Sequence, residues 1–439
     1  MRYAITTLGC KVNQYDSAVI EARLMARGAH RCEFDQPADV YVINTCTITD
    51  RADAESLRLA RRARRLNPNA RVVMTGCMAQ ANPRRLAEAA EVDAVIGIGR
   101  PEDLDRAILE GAPDRVMVSN LRKIRAPIDT PGVTMAGHTR AFLKVQEGCD
   151  QFCSFCIVPT ARGTSRSVEP RRVLQALDQL HAQGFREVVL SGVHLGGYGK
   201  DLAPPVSLEV LLEMIAERSP IRRVRISSLD PEELSDEIIL IMAQSGVFCD
   251  HLHLPLQAGA DETLVRMRRR YDTDFFRRRV ERVLEQMPTA AIGTDLIVGF
   301  PGETLEQFEF YFSFVESLPL AYFHVFPYSV RAGTTAAKLD GRVDSREIRR
   351  RSEVMRQLGE RKRIGFAERF AGSRLKVLLE ERAKDGRMTG LSRNYIRVVA
   401  AAPDELRNHE VEFQASHVEG ATLAGGVIGT EAASTTADF

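Results

Sequence analysis

Short apolar runs alternate with helical periodicity over the first 110 residues of the chain. The runs are YAITTLG, VYVINT, RVVMTG and AVIGIG, and a helical pattern from about Asn13 to Arg27, ended by Gly28, follows the first of them. Strands that are apolar throughout are typical of a parallel sheet covered by helices on both faces. We therefore predict an N-terminal open parallel-sheet α/β domain at residues 1–110.

The alternation resumes after a stretch with scattered prolines and glycines, which we interpret as a linker at 111–138. The next strand candidates, separated by helical segments, are AFLKVQEG, EVVLSGV, RVRISSLD, HLHLPLQ, AIGTDLIVGF and AYFHVFPYS. Six strand–helix units predict a partial (β/α)6 barrel at residues 139–370, with its chemistry at the C-terminal ends of the strands. A long charged helix at about 344–370 is expected to end this domain.

A different pattern follows residue 370. Short strands such as RLKVLLEE, NYIRVVAA and HEVEFQASHV are broken by glycines. This pattern is typical of a small all-β barrel, which we place at residues 371–432. The polar end of the chain, TEAASTTADF, is predicted to be disordered.

The composition is that of a globular protein, with 44% hydrophobic and 27% charged residues and a net charge of +1. No uncharged apolar run has membrane-spanning length and the N-terminus lacks a secretory pattern, so we expect a cytoplasmic location. There the eight cysteines are expected to be thiols or metal ligands and not disulfides. Arginine-rich stretches such as RRARRL and RMRRRYDTDFFRRRVER either bind phosphates or are solvated helix faces.

Three cysteines, Cys149, Cys153 and Cys156, form a CxxxCxxC motif directly after a predicted strand. A short loop lets three thiolates converge on one side of an inorganic cluster, and cysteine is the usual ligand of iron–sulfur centres. Zinc is the alternative, but a structural zinc site normally has four ligands, and no fourth cysteine or histidine stands at the expected spacing. Three ligands on a four-iron cube would leave one iron open for chemistry.

Cys10, Cys46 and Cys77 are far apart in the sequence, yet each follows a predicted strand, in TTLGC, VINTC and VMTGC. The C-terminal strand ends of an open parallel sheet share one edge, where ligands bind. We therefore predict that these cysteines converge on a second cluster, the alternative being three independently buried core thiols. Cys32 and Cys249 lack this placement and are expected to be structural.

The CxxxCxxC motif, with an aromatic residue before its last cysteine, resembles the signature of radical S-adenosylmethionine (SAM) enzymes. In that family the three cysteines hold a [4Fe-4S] cluster, whose open iron chelates SAM and whose electron releases a 5′-deoxyadenosyl radical. The cofactor carries the difficult step, while the protein positions and shields it.

The resemblance also implies which residues bind the cofactor. Phe155 would lie along the adenine, Gly196 and Gly197 in SGVHLGGYG would receive the methionine amino group, and Gly299 in GTDLIVGFPGE would border the adenine. Other strand-end residues expected to face the same opening are Ser227, Ser228 and Gln257. The alternative for each of these segments is an ordinary strand-to-helix turn.

Two three-cysteine sites followed by a small β-barrel resemble the methylthiotransferases over nearly the whole chain. In that family an N-terminal domain holds a second cluster, the central domain carries the radical chemistry, and a C-terminal TRAM domain binds RNA. Its members modify an adenosine beside the tRNA anticodon or an aspartate of a ribosomal protein. The strings TLGCKVNQYDS, LKVQEGCDQFCSFCIVPTARG, HLHLPLQAGADETLVRMRRRY and FPYSVRAGTTAAKL look most like the branch that acts on N6-threonylcarbamoyladenosine.

The resemblance implies an enzyme that converts an adenine ring C–H to C–S–CH3, using two [4Fe-4S] clusters, SAM and an electron donor such as flavodoxin or ferredoxin. Its N-terminal cluster would present the sulfur. Because an adenine C–H bond is nearly non-acidic, no general base of ordinary pKa can remove its proton, and a radical route avoids that limit. Three alternatives stay open: isopentenyladenosine in tRNA, a ribosomal-protein aspartate, and a non-enzymatic iron–sulfur protein that binds RNA.

RNA contacts are expected in the segment GRMTGLSRNYIRV of the last domain, because a loop base of tRNA can be splayed out and read there. The candidates for phosphate and base contacts are Arg387, Arg393, Asn394, Tyr395 and Arg397. The alternative is a β-hairpin with solvent-facing arginines. Acidic residues in AAPDELRNHEVEFQ dilute the positive charge, so the arginine runs of the central domain are expected to share RNA binding.

Overall fold

The computed structural model describes residues 1–124, 128, 130–131, 133 and 139–430. The predicted linker is therefore only partly described, and all of the predicted disordered tail except Thr430 lies outside the described residues. Three regions of regular structure follow one another along the chain, as the hydrophobic pattern predicts. Within the described ranges, no helix has both the length and the apolar character needed to cross a membrane.

The N-terminal region is a six-stranded sheet of parallel neighbours in the order β2-β1-β3-β4-β5-β6. Its strands are β1 (Arg2–Thr7), β2 (His30–Arg31), β3 (Val40–Thr45), β4 (Arg71–Gly76), β5 (Ala94–Ile96) and β6 (Val116–Met117). Its helices are α1 (Lys11–Ala26), α2 (Asp50–Leu66), α3 (Cys77–Ala81), α4 (Pro83–Ala87) and α5 (Pro101–Leu109). The open parallel sheet is as predicted. The strands β2 and β6 are too short to leave a hydrophobic pattern, and β6 lies beyond residue 110.

Local signals explain the helices that flank the predicted cluster cysteines. The chain leaves α1 at Gly28, whose φ of 76° is left-handed. Thr49 caps α2, because its hydroxyl accepts a hydrogen bond from the backbone N–H of Ala52 at 3.3 Å. Leu59 and Ala63 of α2 pack in the core beneath the sheet. The loops between β1 and α1 and between β3 and α2 are thereby held at both ends.

The central region is a partial barrel of six parallel strands, which pair in two groups, β10-β9-β7 and β11-β12-β13. The groups meet where Val224 of β10 bridges to Phe248, just before β11. The strands are β7 (Arg140–Glu147), β8 (Arg166–Ser167, antiparallel to β7), β9 (Glu187–Gly192), β10 (Arg223–Ile226), β11 (His251–His253), β12 (Ala291–Val298) and β13 (Tyr322–Pro327). The helices are α6 (Val158–Arg162), α7 (Pro170–Ala182), α8 (Leu208–Arg218), α9 (Asp236–Ser245), α10 (Asp261–Arg266), α11 (Thr273–Gln286), α12 (Leu305–Ser317) and α13 (Ser345–Glu368). This is the predicted partial (β/α)6 barrel, and α13 is the predicted long helix.

The barrel strands have one apolar and one polar side. Val224 and Leu252 belong to the large core packed under the outer helices. The residues that follow them, Arg225 and His253, are polar. Because side chains alternate across a strand, these polar residues face the inside of the barrel. The barrel interior is therefore polar.

The C-terminal region is a closed barrel with the strand order β14-β15-β16-β18-β17. The strands are β14 (Arg374–Arg382), β15 (Met388–Ser392), β16 (Arg397–Ala401), β17 (Glu410–Glu419) and β18 (Thr422–Thr430). Val377, Val398 and Phe413 are fully buried in its own core. The all-β barrel is as predicted.

Buried charges join this C-terminal barrel to the central region. Glu187 is fully buried and accepts hydrogen bonds from Nε of Arg223 at 2.9 Å and Nε of Arg225 at 2.7 Å. The same guanidinium groups donate to the carbonyls of Leu391 at 2.9 Å and Ser392 at 2.7 Å. Burial alone would raise the pKa of Glu187, but Arg225 and Arg223 outweigh it and lower that pKa to about 2. The junction depends on this carboxylate staying charged.

Candidate functional site

The structure brings Cys10, Cys46 and Cys77 together at one edge of the N-terminal sheet. Each follows the C-terminal end of a strand, and those strands, β1, β3 and β4, are neighbours. Gly9, with a φ of 96°, lets the first loop approach the second, since a Cβ atom there would lie 2.9 Å from Sγ of Cys46. Burial raises the pKa of Cys77 to about 12, and the nearby Cys10 and Cys46 add to the rise. We call this group the N-terminal site.

Asn13, in the first turn of α1, ties the loops of the N-terminal site together. Its Nδ2 donates to the carbonyls of Leu8 at 2.7 Å and Thr45 at 3.0 Å. Its Oδ1 accepts a hydrogen bond from the thiol of Cys77 at 3.6 Å. Because Asn13 is fully buried, its amide holds the ends of all three loops in fixed positions.

Cys149, Cys153 and Cys156 lie on the loop between β7 and α6, which we call the loop site. Ser154 anchors this loop, because it is 1% exposed and its N–H donates to the carbonyl of Met267 at 3.0 Å. Burial raises the pKa of Cys149 and of Cys156 to about 12, and neighbouring cysteines add to the rise. The three cysteines fall within eight positions of this anchored loop, so the loop gathers the triad.

The spacing of the thiols fits a multi-iron cluster better than a single zinc ion. Tetrahedral zinc with Zn–S bonds of about 2.3 Å would hold its sulfur ligands about 3.8 Å apart. Within the described residues, neither cysteine triad has its sulfur atoms all within 4.8 Å of one another; the group that meets this limit is His194, Asp230 and Glu233. A cube of four irons binds its cysteines through separate irons and so needs a wider set of thiols. The triads are thus less compact than a single tetrahedral zinc ion requires, and three thiols at each site are the donor set of the predicted [4Fe-4S] clusters.

A buried arginine donates to one sulfur atom at each site. Nε of Arg162 lies 3.2 Å from Sγ of Cys77, and Nη1 of Arg269 lies 3.4 Å from Sγ of Cys153. A guanidinium stabilises the negative charge that thiolate ligands bring to a cluster. Neither arginine is predicted from the sequence. Arg162 stands in IVPTARG, directly after the motif, but its spacing does not show that it reaches the other site.

Arg162 belongs to the central region, yet its partners come from both regions. Its Nη1 donates to Asp16 at 2.7 Å and to Glu147 at 3.2 Å, and its Nη2 donates to Asn13. Lys144 donates to the same two carboxylates at 2.6 and 2.7 Å. Burial would raise the pKa of both carboxyl groups, but Lys144 and Arg162 outweigh it and lower them. This charged cluster fixes the N-terminal site against the loop site.

A cavity is lined by residues that follow Cys46 in the chain and by residues of the loop site. Ile48 and Thr49 come from the loop after Cys46, while Phe155 and Cys156 come from the loop site. Residues from the barrel side that complete the wall include Gln257, Asp295, Ile297, Phe326, Tyr328 and Arg331. A molecule in this cavity, which we call the central cavity, contacts both cysteine loops at once.

Two of the predicted SAM-binding residues, Phe155 and Gln257, line the central cavity. Gln257 has a φ of 68°, and its N–H donates to the carbonyl of Asp295 at 2.9 Å. A left-handed backbone at a non-glycine residue is held by such surroundings and is common at functional sites. Gly299 instead packs under α13, where a Cβ atom would overlap with Ile348.

Gly196 and Gly197 form a turn after β9, beside an unpaired carboxylate oxygen. A Cβ atom on Gly196 would overlap with the carboxylate of Glu233. Oε2 of Glu233 is buried and has no hydrogen-bond partner in the described part of the chain, whereas Oε1 pairs with Nε2 of His194 at 2.7 Å. A buried carboxylate oxygen without a donor fits an ammonium group, such as the amino group of SAM.

The remaining predicted residues of the central region lie apart from the central cavity. Ser227 is buried and its hydroxyl has no partner among the described residues, while Ser228 is exposed. Neither cysteine outside the triads joins a site. The thiol of Cys32 donates to the carbonyl of Tyr3 at 3.4 Å, and Cys249 is buried.

Three of the predicted RNA contacts lie at the junction between the C-terminal barrel and the central region. Arg393 pairs with Glu410 at 3.0 Å and donates to backbone carbonyls of the central region. Asn394 is buried. Tyr395 stacks on His251 of β11, with ring centroids 4.0 Å apart. These contacts hold the two regions together.

The other two predicted RNA contacts lie on the surface. Arg387 pairs with Asp385 and Glu419, both at 2.8 Å. Arg397 is exposed, and no ion pair to it occurs within the described ranges. Its positive charge is therefore available to a partner, whereas that of Arg387 is already compensated.

Comparison with known proteins identifies the class to which this architecture belongs. Residues 143–315 match the model of the radical SAM superfamily, and residues 2–97 match the model described as uncharacterized protein family UPF0004. The fold resembles the radical SAM methyltransferase TsrM from Kitasatospora setae, with a TM-score of 0.53 and 15% identity over 74% of each chain. It also resembles the cobalamin-dependent radical SAM enzyme OxsB, with a TM-score of 0.52 and 10% identity over 81% of this chain and 56% of that one. The chain is a radical SAM enzyme, which brings the predicted cofactors, SAM and [4Fe-4S] clusters.

Relatives of similar length show to which family of radical SAM enzymes the chain belongs. The chain is 37% identical to the threonylcarbamoyladenosine tRNA methylthiotransferase MtaB of Bacillus subtilis, over 92% of this chain and 91% of the relative. It is 36% identical to the protein of the same name from Aquifex aeolicus, over 91% and 96%. It is 32% identical to the tRNA-2-methylthio-N(6)-dimethylallyladenosine synthase of Clostridium novyi, over 90% and 89%. The chain belongs to the tRNA methylthiotransferase family.

Proposed function

We propose that the protein adds a methylthio group to the C2 carbon of N6-threonylcarbamoyladenosine next to the anticodon of tRNA. The observation that carries this proposal is the central cavity, which both cysteine loops line. Replacing C–H with C–S–CH3 requires that hydrogen removal and sulfur delivery act on the same carbon. A base held in this cavity would contact Cys156 of the loop site and would lie against Ile48 and Thr49, which follow Cys46 of the N-terminal site. Relatives that are 33–37% identical are named for this activity.

Each site has its own task in this proposal. The proposed ligands of the SAM-binding cluster are Cys149, Cys153 and Cys156, and those of the sulfur-donating cluster are Cys10, Cys46 and Cys77. When bound, these groups and SAM supply the radical, the sulfur and the methyl group. The protein positions them, with Asn13 and Arg162 holding the N-terminal site against the loop site. Ile48 and Phe155 contribute apolar side chains to the cavity wall.

The proposed SAM contacts are residues whose surroundings fit the cofactor. Phe155 and Gln257 line the central cavity, and Gly196 and Gly197 lie beside the unpaired Glu233 oxygen. Roles for Ser228 and Gly299 stay predictions from the family resemblance.

The polar barrel interior favours threonylcarbamoyladenosine over dimethylallyladenosine. Asp295 in the cavity wall pairs with His253 at 3.1 Å. Lys11, next to Cys10, lies within electrostatic range of Asp295 and Arg225. The hydroxyl of a threonylcarbamoyl group could donate to Asp295 and its carboxylate suits the cation of Lys11, whereas a dimethylallyl group is a hydrocarbon that would pair with neither. Relatives named for dimethylallyladenosine, at 31–32% identity, make that nucleoside the second candidate.

The proposal implies tRNA as the macromolecular partner and an electron donor such as flavodoxin or ferredoxin. It also implies a cytoplasmic location, where tRNA is modified. The C-terminal barrel would contribute to RNA binding, with Arg397 as its surface contact, because the charge of Arg387 is already compensated by Asp385 and Glu419.

The test is a reaction of anaerobically reconstituted protein with SAM, a reductant and anticodon stem-loops that differ only at the modified adenosine. We expect nucleoside mass spectrometry to find the methylthio product from the threonylcarbamoyl stem-loop. Product from the dimethylallyl stem-loop alone would establish the second candidate. Product on ribosomal protein alone, or no cleavage of SAM at all, would reject tRNA methylthiolation.

A further inference from the structure

The inward side of β13 carries three aromatic side chains in a row. Tyr322, His324 and Phe326 alternate along the strand and therefore share one side. The ring centroids of Tyr322 and His324 are 5.5 Å apart, and those of His324 and Phe326 are 6.5 Å apart. Tyr322 is buried, but His324 is exposed and Phe326 is 37% exposed. We call these residues the β13 ladder.

The β13 ladder connects two cavities. Phe326 lines the central cavity, together with Cys156 of the loop site. Tyr322 and His324 line a second cavity of about 340 Å³, between the central region and the C-terminal barrel. Arg363 of α13 and Arg397 of the C-terminal barrel belong to the wall of this second cavity. The exposed rings of His324 and Phe326 therefore lead from the second cavity to the central cavity.

The charges beside the ladder are suited to an anion. Arg363 pairs with Glu360 at the long distance of 3.9 Å. The side chains of Arg363 and Glu360 are 51% and 57% exposed. Such an exposed pair holds its arginine only weakly. Arg397 is exposed and has no ion pair in the described part of the chain. Two weakly held guanidinium groups thus border the same cavity as the open imidazole of His324.

We propose that the β13 ladder is the path of the single-stranded anticodon loop. The nucleotide next to the modified adenosine stacks on His324, its phosphate binds Arg363 and Arg397, and the modified base enters the central cavity beside Phe326. Unpaired RNA bases are bound by stacking on aromatic rings and by arginines at their phosphates. This inference rests on the proposed function, since it assumes that the substrate is a tRNA loop.

The first test measures stacking by comparing intact and abasic stem-loops. Binding of the threonylcarbamoyl stem-loop to reconstituted holoenzyme should weaken about tenfold in His324→Ala, the order of one base–aromatic contact. His417→Ala is the matched control, because His417 is an exposed histidine of the C-terminal barrel that pairs with Glu419 at 3.2 Å. Removing the base on one side of the modified adenosine should weaken wild-type binding equally and should cost His324→Ala nothing further.

The second test measures phosphate binding through its dependence on salt. The double variant Arg363→Ala, Arg397→Ala should bind less tightly and reduce the slope of log K against log salt by about 0.7 for each phosphate that it no longer binds. The matched control is Arg361→Ala with Arg382→Ala. Arg361 lies on the same helix and pairs with Glu316, and Arg382 lies on the same barrel and pairs with Asp404. These controls should keep the wild-type slope.

The outcomes distinguish a failure of the proposed path along the β13 ladder from a failure of the proposed function. If wild-type protein methylthiolates the threonylcarbamoyl stem-loop but all variants bind it as wild type does, the path is wrong and the proposed function stands. If His324→Ala loses affinity equally for stem-loops with and without the neighbouring bases, stacking on His324 is rejected. If wild-type protein neither binds nor modifies the stem-loop, the proposed function itself fails. Iron content and melting temperature of each variant show whether a loss of binding reflects misfolding.

Discussion

The two cysteine sites are built in opposite ways. The loop site takes its three cysteines from positions 149 to 156 of one loop, which Ser154 fastens to the barrel. The N-terminal site takes its cysteines from positions 10 to 77, at the ends of three neighbouring strands. A site on one loop depends on local backbone geometry, whereas a site on a sheet edge depends on the whole sheet being folded. We therefore expect damage to the N-terminal region to affect one site only.

The arginines that donate to the two sites also differ in whether their partners come from one region or from two. Arg269 and its partners Asp230 and Tyr271 belong to the central region, as does the loop site. Arg162 also belongs to the central region but donates to Cys77 of the N-terminal region. The loop site is thus complete within its own region, while the N-terminal site needs a residue from its neighbour.

The largest effect is expected from removing the loop site. Replacing Cys149, Cys153 and Cys156 with alanine should remove about half of the iron of the reconstituted protein and abolish 5′-deoxyadenosine formation, because three of six proposed ligands are removed. Iron analysis and chromatography of the products measure both. Cys249→Ala is the control, since that buried cysteine belongs to neither site. A triple variant that still cleaves SAM would falsify the assignment of the loop site.

A narrower loss is expected from the N-terminal site. Cys46→Ala should still form 5′-deoxyadenosine but yield no methylthiolated nucleoside, because only sulfur delivery is assigned to this site. Liquid chromatography with mass spectrometry of nucleosides and of cleaved SAM reports both. Cys32→Ala should behave as wild type. Normal methylthiolation by Cys46→Ala, with the N-terminal cluster shown to be absent, would make that site merely structural and remove the functional difference between the two.

The contrast between the arginines can be tested next. Arg162 is 2% exposed, and Arg162→Met would leave Asp16 and Glu147 underpaired, so the free energy of unfolding should fall by about 3–5 kcal/mol. Denaturant unfolding under anaerobic conditions measures this. The same variant should lose iron from the N-terminal site first, while Arg269→Met should lose it from the loop site first.

Two further variants serve as controls for that experiment. Arg162→Lys keeps the charge and should retain more stability than Arg162→Met. Arg58→Met removes an exposed arginine that pairs with Glu55 on the same helix, and it should have no measurable effect. Equal iron loss from both sites in Arg162→Met would mean that the charged cluster supports the whole molecule and not the N-terminal site.

The smallest effect on either site is expected at the C-terminal junction, because the partners of Glu187 among the described residues are arginines and not cysteines of either triad. The pKa of Glu187 is about 2 in the folded protein, below its ordinary value of 4.5. Between these pH values the unfolded state therefore binds more protons than the folded state. Its contribution to stability is fully present above about pH 4.5 and is lost as pH falls toward 2. In the metal-free protein, Glu187→Gln should flatten the acid dependence of the unfolding free energy between these values. An unchanged acid dependence would contradict the buried charge assigned to Glu187.

The sequence predicted the parts of the two sites that obey strand geometry. Cys10, Cys46 and Cys77 were predictable because parallel strands deliver their ends to one edge whatever the intervening sequence. The polar barrel interior also leaves a signal in the sequence, since RVRI and HLH alternate polar and apolar residues. Both features follow from strand geometry alone, namely the position of strand ends and the alternation of side chains along a strand.

The contacts between regions could not be predicted in this way. Arg393 looked like an RNA contact, but its guanidinium donates to the carbonyl of Gly246, 147 positions earlier in the chain. Arg162 reaches Cys77 across a separation of 85 positions. No periodicity within one segment records which surfaces two domains present to each other, so an arginine that faces solvent and one that locks a junction look alike in sequence.

The short helix α6 has a consequence for how such proteins can diverge. It places Arg162 six positions after Cys156, so the residue that supports the N-terminal site is carried by the segment that forms the loop site. An insertion or deletion between them would move the guanidinium away from Cys77 even with both cysteine triads intact. Exchange of the N-terminal region between relatives would likewise succeed only where the incoming region brings acceptors equivalent to Asn13 and Asp16. A single short segment thus couples the two cysteine sites, although they belong to separate regions of the fold.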